Sequence, residues 1–393
     1  MLKNLYINNY KCFSNFKFVV DQDEEYKHTG LFIGKNGSGK TSFAEVLRLF
    51  QRIGHGQNNL KPLLQDGVLR IDPLVSPSAF SFGKNDLPMQ FEIEVELETG
   101  TERVAQNFHY SLELVYPKNF ETLRVNYESL KVGNVELFSR REGDIQFTEK
   151  QTKPFIYDWH SIYLPSYSDS GSHEASAFLE WLGNMLVLAP IPQRMRALRE
   201  GKTSGLRMDA ANVADWWAGL LEKSPDAYAE VRHDFLITIF PDFKRVTYTT
   251  DSLGRLIFAV EFENTSGDRV QLPFDQLSDG EKCLFLAAFV LVANKADALS
   301  LCFWDEPDNF LAISEVEFFI SLLKRNFTAK GQFLMTSHNP ETVVRFPEDN
   351  TYLFSRNNHL SPTRPLATVA EWRRSNAFEG DFIEAWRLGD LEA

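Results

Sequence analysis

Residues 34–41 read Gly34-Lys35-Asn36-Gly37-Ser38-Gly39-Lys40-Thr41. They match the phosphate-binding pattern G-x-x-x-x-G-K-[ST]. Three glycines let the backbone bend tightly and turn successive N–H groups inward, toward an anion. Lys40 can reach β- and γ-phosphates, and the Thr41 hydroxyl can ligate Mg²⁺. The flanks agree with this reading. Residues 30–33 form an apolar run that predicts a short buried strand. Residues 42–53 carry Phe43, Val46, Leu47 and Phe50 at helical spacing. Strand, loop and helix in that order set a helix N-terminus against the phosphates.

Composition narrows the class. The chain has 393 residues, 43% hydrophobic and 24% charged, which predicts a globular protein of one large domain or two ordinary ones. No apolar run approaches the roughly 20 residues that span a bilayer. The N-terminus lacks the apolar segment of a secretory leader, so no membrane is expected as a partner. Cys12, Cys283 and Cys302 have no paired spacing. They predict a reducing, cytoplasmic location and neither a disulfide framework nor a zinc site. A net charge of −13 argues against a chain basic overall and leaves room for a local basic face. The 33 phenylalanines predict a Phe-rich core.

Along the chain, residues 2–8 and 16–20 read as the first two strands, and 54–82 as long loops. From Met89 the pattern alternates apolar and acidic residues, as in Phe91-Glu92-Ile93-Glu94-Val95. That predicts strands with one buried and one solvated face. Residues 108–116, 124–132, 135–139 and 144–147 repeat the pattern at short spacing, which predicts an antiparallel meander separate from the sheet that carries the phosphate loop. Residues 158–242 read as helical: 175–188 is nearly uninterrupted, and 209–221 and 225–240 are amphipathic, with Asp209 and Ser224 as N-cap candidates. Trp216 and Trp217 read as core residues. Strands return at 244–250 and 255–263. The chain shows no internal repeat, no low-complexity tract and no sustained heptads.

A second cluster lies near the C-terminus. Leu277-Ser278-Asp279-Gly280-Glu281-Lys282 opens an apolar helical run over 283–293. Free N–H groups and a hydroxyl at a helix start could hold a γ-phosphate; taken alone, a capping turn is the simpler account. The apolar strand 299–304 ends in Asp305-Glu306. In a chain with a phosphate loop, such a pair divides its work: Asp305 holds Mg²⁺ and Glu306 polarises the attacking water. A further strand, 333–336, ends in Ser337-His338-Asn339-Pro340, and His338 can present its imidazole to the γ-phosphate.

These elements, in this order, resemble the ABC-type ATPase head. Residues 34–41 resemble Walker A, 277–281 the ABC signature, 301–306 Walker B, 307–309 the D-loop and His338 the switch histidine. Asn9-Tyr10-Lys11-Cys12-Phe13 is similar to the N-terminal segment of the RecF/SMC/Rad50-like branch. Within that branch the chain resembles compact AAA_21/OLD-like ATPases, frequent in bacterial anti-phage systems. The resemblance implies an α/β P-loop NTPase fold with a β-meander lobe and a helical insert. Residues 1–155 would form the N-terminal lobe, 156–243 the helical insert, and 244–393 the C-terminal lobe. It implies ATP and Mg²⁺ as ligands. Gly34, Lys35, Asn36, Gly37, Ser38, Gly39, Lys40, Thr41 and Ser42 would hold the nucleotide, and Lys11 would touch phosphate. Thr41 and Asp305 would bind the metal, and Glu306, His338 and Lys40 would serve hydrolysis. Ser278, Gly280 and Glu281 would close over ATP bound by a second copy, which implies a head-to-tail homodimer.

Three functions are weighed, the third from another class. The first is an ATP-driven switch and scaffold in anti-phage defence. Because the chain ends soon after His338, without a Toprim tail, the effector would be a separate subunit such as a Toprim-like or HNH nuclease. The second is a RecF-like repair ATPase that clamps duplex DNA directly, for which salt-dependent binding is the signature. A small-molecule kinase is the third alternative, and it leaves 277–282 and His338 without a purpose.

Overall fold

The computed structural model describes residues 1–20, 27–60, 63–65, 68–71, 74–99, 104–118, 122–147, 156–203, 205–329, 331–378 and 380–388. The chain divides into two compact units. The first comprises Met1–Lys27, Phe32–Met185 and Glu348–Ala393, the second His28–Leu31 and Leu186–Pro347.

Alternation builds the first unit. In the strand Met89–Thr99, Met89, Phe91, Ile93 and Val95 are buried, while Gln90, Glu92, Glu94 and Glu96 stay partly solvated. Its neighbour Val104–Val115 answers with buried Phe108, Tyr110, Leu112 and Leu114, so cross-strand pairs such as Ile93 opposite Tyr110 close one face of the sheet. The meander runs on through Arg124–Val132, Val135–Arg141 and Asp144–Phe147. On its other side Met89–Thr99 pairs antiparallel with Leu2–Asn8, which pairs with Phe16–Val19. One seven-stranded antiparallel sheet results. Residues 54–82, expected as long loops, also contain the short antiparallel strands Leu63–Gln65 and Val68–Ile71. Runs that short carry too few residues to show a period.

The helices Lys40–Gly54 and His173–Gly183 pack on this unit's apolar side. They cross where Gly54 meets Gly183; a Cβ on Gly54 would fall 2.2 Å from the Gly183 nitrogen. Phe178 stacks on Phe108 at 5.8 Å, and Phe50 meets Tyr110 edge-on at 6.3 Å. Phe18, Phe32, Phe43, Tyr352 and Phe354 form a second aromatic group. The Phe-rich core is realised.

One element of this unit runs against the reading of acidic alternation as a wet face. Glu128 and Arg140 lie opposite each other on adjacent strands, and both side chains are fully buried. Glu128 accepts hydrogen bonds from the Tyr110 hydroxyl at 3.0 Å and from the backbone of Leu164 at 2.8 Å. Arg140 donates to the carbonyls of Ser161 and Asp158, each at 2.7 Å. Burial pushes the Glu128 carboxyl up, with Arg140 opposing.

In the second unit, Leu301–Trp304 pairs in parallel with Phe333–Thr336, and every residue of both strands is buried. The Leu188 carbonyl accepts from Asp305 N at 2.7 Å and the His28 carbonyl from Phe333 N at 2.7 Å, which ties flanking chain to both strands. The helix Asp279–Lys295 is buried without a break from Lys282 to Asn294. Trp217 stacks on its Phe289 at 4.2 Å, and Phe240 on its Phe285 at 5.0 Å. Trp216 and Trp217 are core residues. Leu256–Glu263 is the middle strand of an antiparallel sheet with Phe243–Thr250 and Arg269–Pro273. The strand Arg269–Pro273 and the helix Ile313–Ala329 went unread in the sequence.

The stretch read as helical over 158–242 needs correction. The helix His173–Gly183 stops, and Met185–Leu188 is a fully buried strand. Four apolar residues suit either structure, and tertiary pairing decided. Asp209 is not an N-cap: the helix is Val213–Lys223 with Asn212 at that position. The Asp209 carboxylate instead accepts from Ala211 N at 3.2 Å, in the turn before the helix. Ser224 does hold the N-cap position of Pro225–Val231, but its side chain makes no capping bond.

Candidate functional site

The buried strand Thr29–Gly34 leads through residues 35–39 to Lys40, the first residue of the helix Lys40–Gly54. Gly39 takes the N-cap with φ 120°, a conformation open to glycine. A Cβ there would also lie 3.0 Å from Cys12 Sγ and 3.1 Å from Thr363 Oγ1. Lys35, Asn36, Gly37 and Thr41 are exposed, Ser38 and Lys40 are buried, and Ser42 is half-buried. Lys40 Nζ donates to the Gly34 carbonyl at 2.8 Å and the Lys35 carbonyl at 3.3 Å. Lys11 pairs with the Glu45 carboxylate. The Tyr10 hydroxyl donates to the same oxygen at 3.3 Å, and burial with Glu45 pushes that hydroxyl far above its usual range. Glu45 stands one helical turn after Thr41, on the same face.

Two residues beyond the motif brace the loop, and nothing in the motif pointed to them. Thr363 Oγ1 donates to the Ser38 carbonyl at 2.7 Å, while its N–H donates to the Cys12 carbonyl at 2.8 Å. Arg356 donates to the carbonyls of Gly37 at 3.3 Å, Ser361 at 2.7 Å and His359 at 2.5 Å.

The second unit brings Asp305, Glu306 and His338 together. Thr336, buried at the end of its strand, ties the acidic pair: its hydroxyl donates to Asp305 Oδ1 at 2.5 Å and accepts from Glu306 N at 2.9 Å. Glu306 has a left-handed backbone, φ 51°, and accepts from the Asn309 amide. His338 Nε2 lies 3.2 Å from Glu306 Oε1, with each side chain about one-third exposed. Below them Asp308 is buried and accepts from the hydroxyls of Ser337, at 2.6 Å, and Thr342. Burial pushes its carboxyl up, with those bonds opposing.

Ser278, Gly280 and Glu281 sit together at the start of the helix Asp279–Lys295. Ser278 Oγ accepts from Glu281 N at 3.3 Å and Glu281 Oε2 accepts from Ser278 N at 2.7 Å, a reciprocal capping box. Gly280 faces the turn after Asp308 and Asn309; a Cβ would fall 2.8 Å from the Phe310 carbonyl oxygen.

Two family models match. The AAA ATPase domain covers residues 1–172. An AAA domain whose description names the AbiEii toxin of a type IV TA system covers residues 189–344. Among solved structures, the Smc head bound to the C-terminal winged-helix domain of ScpA is 13% identical with a TM-score of 0.55, over 94% of this chain and 99% of that one. The chain is an ATPase with an SMC-head-like α/β fold. The SMC head domain from Thermotoga maritima also matches, at 14% identity and a TM-score of 0.44, over 93% of this chain and 99% of that one. No curated protein matches.

The SMC-head fold accounts for the antiparallel sheet and helices seen here. In the first unit Thr41 offers a hydroxyl, and in the second Asp305 offers a carboxylate, each a hard oxygen donor of the kind Mg²⁺ prefers. Among the described residues no group of three or more His, Cys, Asp or Glu side chains could hold a metal by itself. A Mg²⁺ site that draws on nucleotide phosphates needs no such group. Among the described residues no helix is long and apolar enough to cross a membrane.

Proposed function

We propose that this ATPase is a switch that closes head-to-tail on ATP and opens on hydrolysis. The observation that carries the reading is the Thr336 hydroxyl between Asp305 and Glu306, with His338 beside Glu306. The two carboxylates thereby acquire different surroundings, which suits a division of labour. Residues 34–42 cradle the triphosphate, with Lys40 at the β- and γ-phosphates, and Lys11, in the turn after the first strand and paired with Glu45, adds a contact. Thr41 and Asp305 are the residues to hold Mg²⁺, which when bound would neutralise charge on the phosphate oxygens. Glu306 orients a water for in-line attack on the γ-phosphorus and takes its proton, giving ADP and phosphate. His338 senses the γ-phosphate. Ser278, Gly280 and Glu281 of one copy cap the nucleotide of the other. Capping does not consume Ser278: its oxygen accepts from Glu281 N while its own proton remains available to a phosphate.

The switch acts in the cytoplasm on a separate effector, such as a Toprim-like or HNH nuclease, in anti-phage defence. The AbiEii toxin named in the description of the domain over residues 189–344 supports the defence setting. A Smc head bound to part of ScpA supports protein-partner binding by this fold.

The test is Glu306→Gln, examined by light scattering with ATP, with ADP and without nucleotide. The variant should bind ATP, release phosphate about 100-fold more slowly, and accumulate as a dimer only with ATP. Turnover at the parental rate, or a monomer under saturating ATP, overturns the proposal.

A further inference from the structure

The second unit contains a cavity of about 550 Å³ that nucleotide chemistry does not use. Its walls come from three places: the helix Pro225–Val231 with the π-helical turn Arg232–Leu236 after it, the last turn of Asp279–Lys295, and the helix Ile313–Ala329. Its floor is apolar, made of the buried side chains Val231, Phe235, Leu291 and Leu322. Pockets of this size with a few polar groups over an apolar floor suit small ligands. Single π-turns inside helices recur at functional sites.

The rim is charged and incompletely paired. Asp226, Glu230 and Asp234 recur every fourth residue along one wall, an arrangement of like charges that costs helical stability. Glu230 is matched by Lys295, 2.8 Å away. Among the described residues, the side chains of Asp226, Asp234 and Arg325 have neither an ion pair nor a hydrogen bond. Asn294 lines the same cavity at 3% exposure. Its amide nitrogen donates to the Asn326 carbonyl at 3.1 Å, whereas its Oδ1 receives no hydrogen bond. That oxygen is enclosed on the side of Gly331, away from the cavity.

We propose that this cavity binds a small zwitterion with an apolar body, an apolar α-amino acid or dipeptide. The ammonium group meets Asp226 and Asp234. The carboxylate meets the Arg325 guanidinium, and the apolar side chain lies on Phe235, Leu291 and Leu322.

Calorimetric titration of the full chain with leucine and with leucyl-leucine tests this. At least one of them should bind saturably; which one does separates an amino-acid source from a peptide source. N-acetyl-leucyl-leucine and leucyl-leucinamide, each missing one charge, should bind about tenfold more weakly or worse. Asp234→Asn and Arg325→Gln, both at exposed positions, should weaken binding by a similar factor. Both variants should keep the parental melting temperature and parental affinity for a fluorescent ATP analogue. The proposal is overturned if neither zwitterion binds up to about 10 mM. It is equally overturned if the blocked dipeptides bind as well as the free one, or if both variants bind like the parent.

Discussion

Replacing Thr336 by valine tests the site's internal wiring. Thr336 is fully buried, and valine keeps its branched shape while deleting the hydroxyl. Two bonds vanish: the 2.5 Å bond donated to the Asp305 carboxylate and the 2.9 Å bond accepted from Glu306 N. A hydrogen bond to a charged group contributes about 1.5–3 kcal/mol, and a neutral one about 1 kcal/mol. If the charged bond serves to hold Asp305 and Glu306 for the transition state, its loss lowers kcat by about ten- to a hundredfold, since each tenfold corresponds to 1.36 kcal/mol. The affinity for ATP should change by less than about threefold, because the phosphate loop keeps its own contacts. Steady-state phosphate release and titration with a fluorescent ATP analogue measure the two quantities. Thr336→Ser, which retains the hydroxyl, should restore most of the rate. The reasoning fails if kcat stays within twofold of the parent, or if serine rescues no better than valine.

Gly280→Ala should leave ATP binding to the single chain intact and reduce ATP-dependent dimer formation and turnover. Its Cβ would press on the Phe310 oxygen at 2.8 Å, and a dimer that forms with parental affinity would contradict this. Arg140→Met leaves Glu128 as an unpaired buried charge and should cost about 3–5 kcal/mol, read as a fall of several degrees in Tm; an unchanged Tm would refute it. Asp308 has its carboxyl pushed above the ordinary value of 3.8 by burial. Its proton-linked stability is therefore whole below that value and is lost as pH rises through the raised one. Asp308→Asn, with no proton to lose, should flatten that decline, and Tm profiles of the same slope for both proteins between about pH 4 and 7 would exclude the effect.

Much of the architecture was readable because it rests on local rules. Alternation of period two placed the meander strands Arg124–Val132 and Asp144–Phe147 to the residue and the other three to within four residues, and the buried strands around Phe32, Phe303 and Leu334 announced themselves as apolar runs. Where an apolar run was only four residues long, as in Met185–Leu188, period could not separate strand from helix, and pairing partners made the choice. The phosphate loop and the Asp305-Glu306 pair were legible because their chemistry demands particular residue types at fixed spacing. Thr336, Thr363 and Arg356 were not, because each acts through tertiary hydrogen bonds that leave no pattern in the chain. Glu128 and Arg140 were hidden for another reason: in a strand that alternates, a charged residue reads as facing water whether or not its partner across the sheet buries it.

The helix that starts at Ser278 ends at Lys295, 17 residues later, a length of about 25 Å. Its residues are buried without a break from Lys282 to Asn294, so the serine tip and the cavity beside Leu291 and Asn294 sit on one packed element. A shift of that helix is the physical route by which a grip on the tip and an occupant of the cavity would influence each other. Any such coupling is reciprocal, and each event alters the affinity of the other by the same factor.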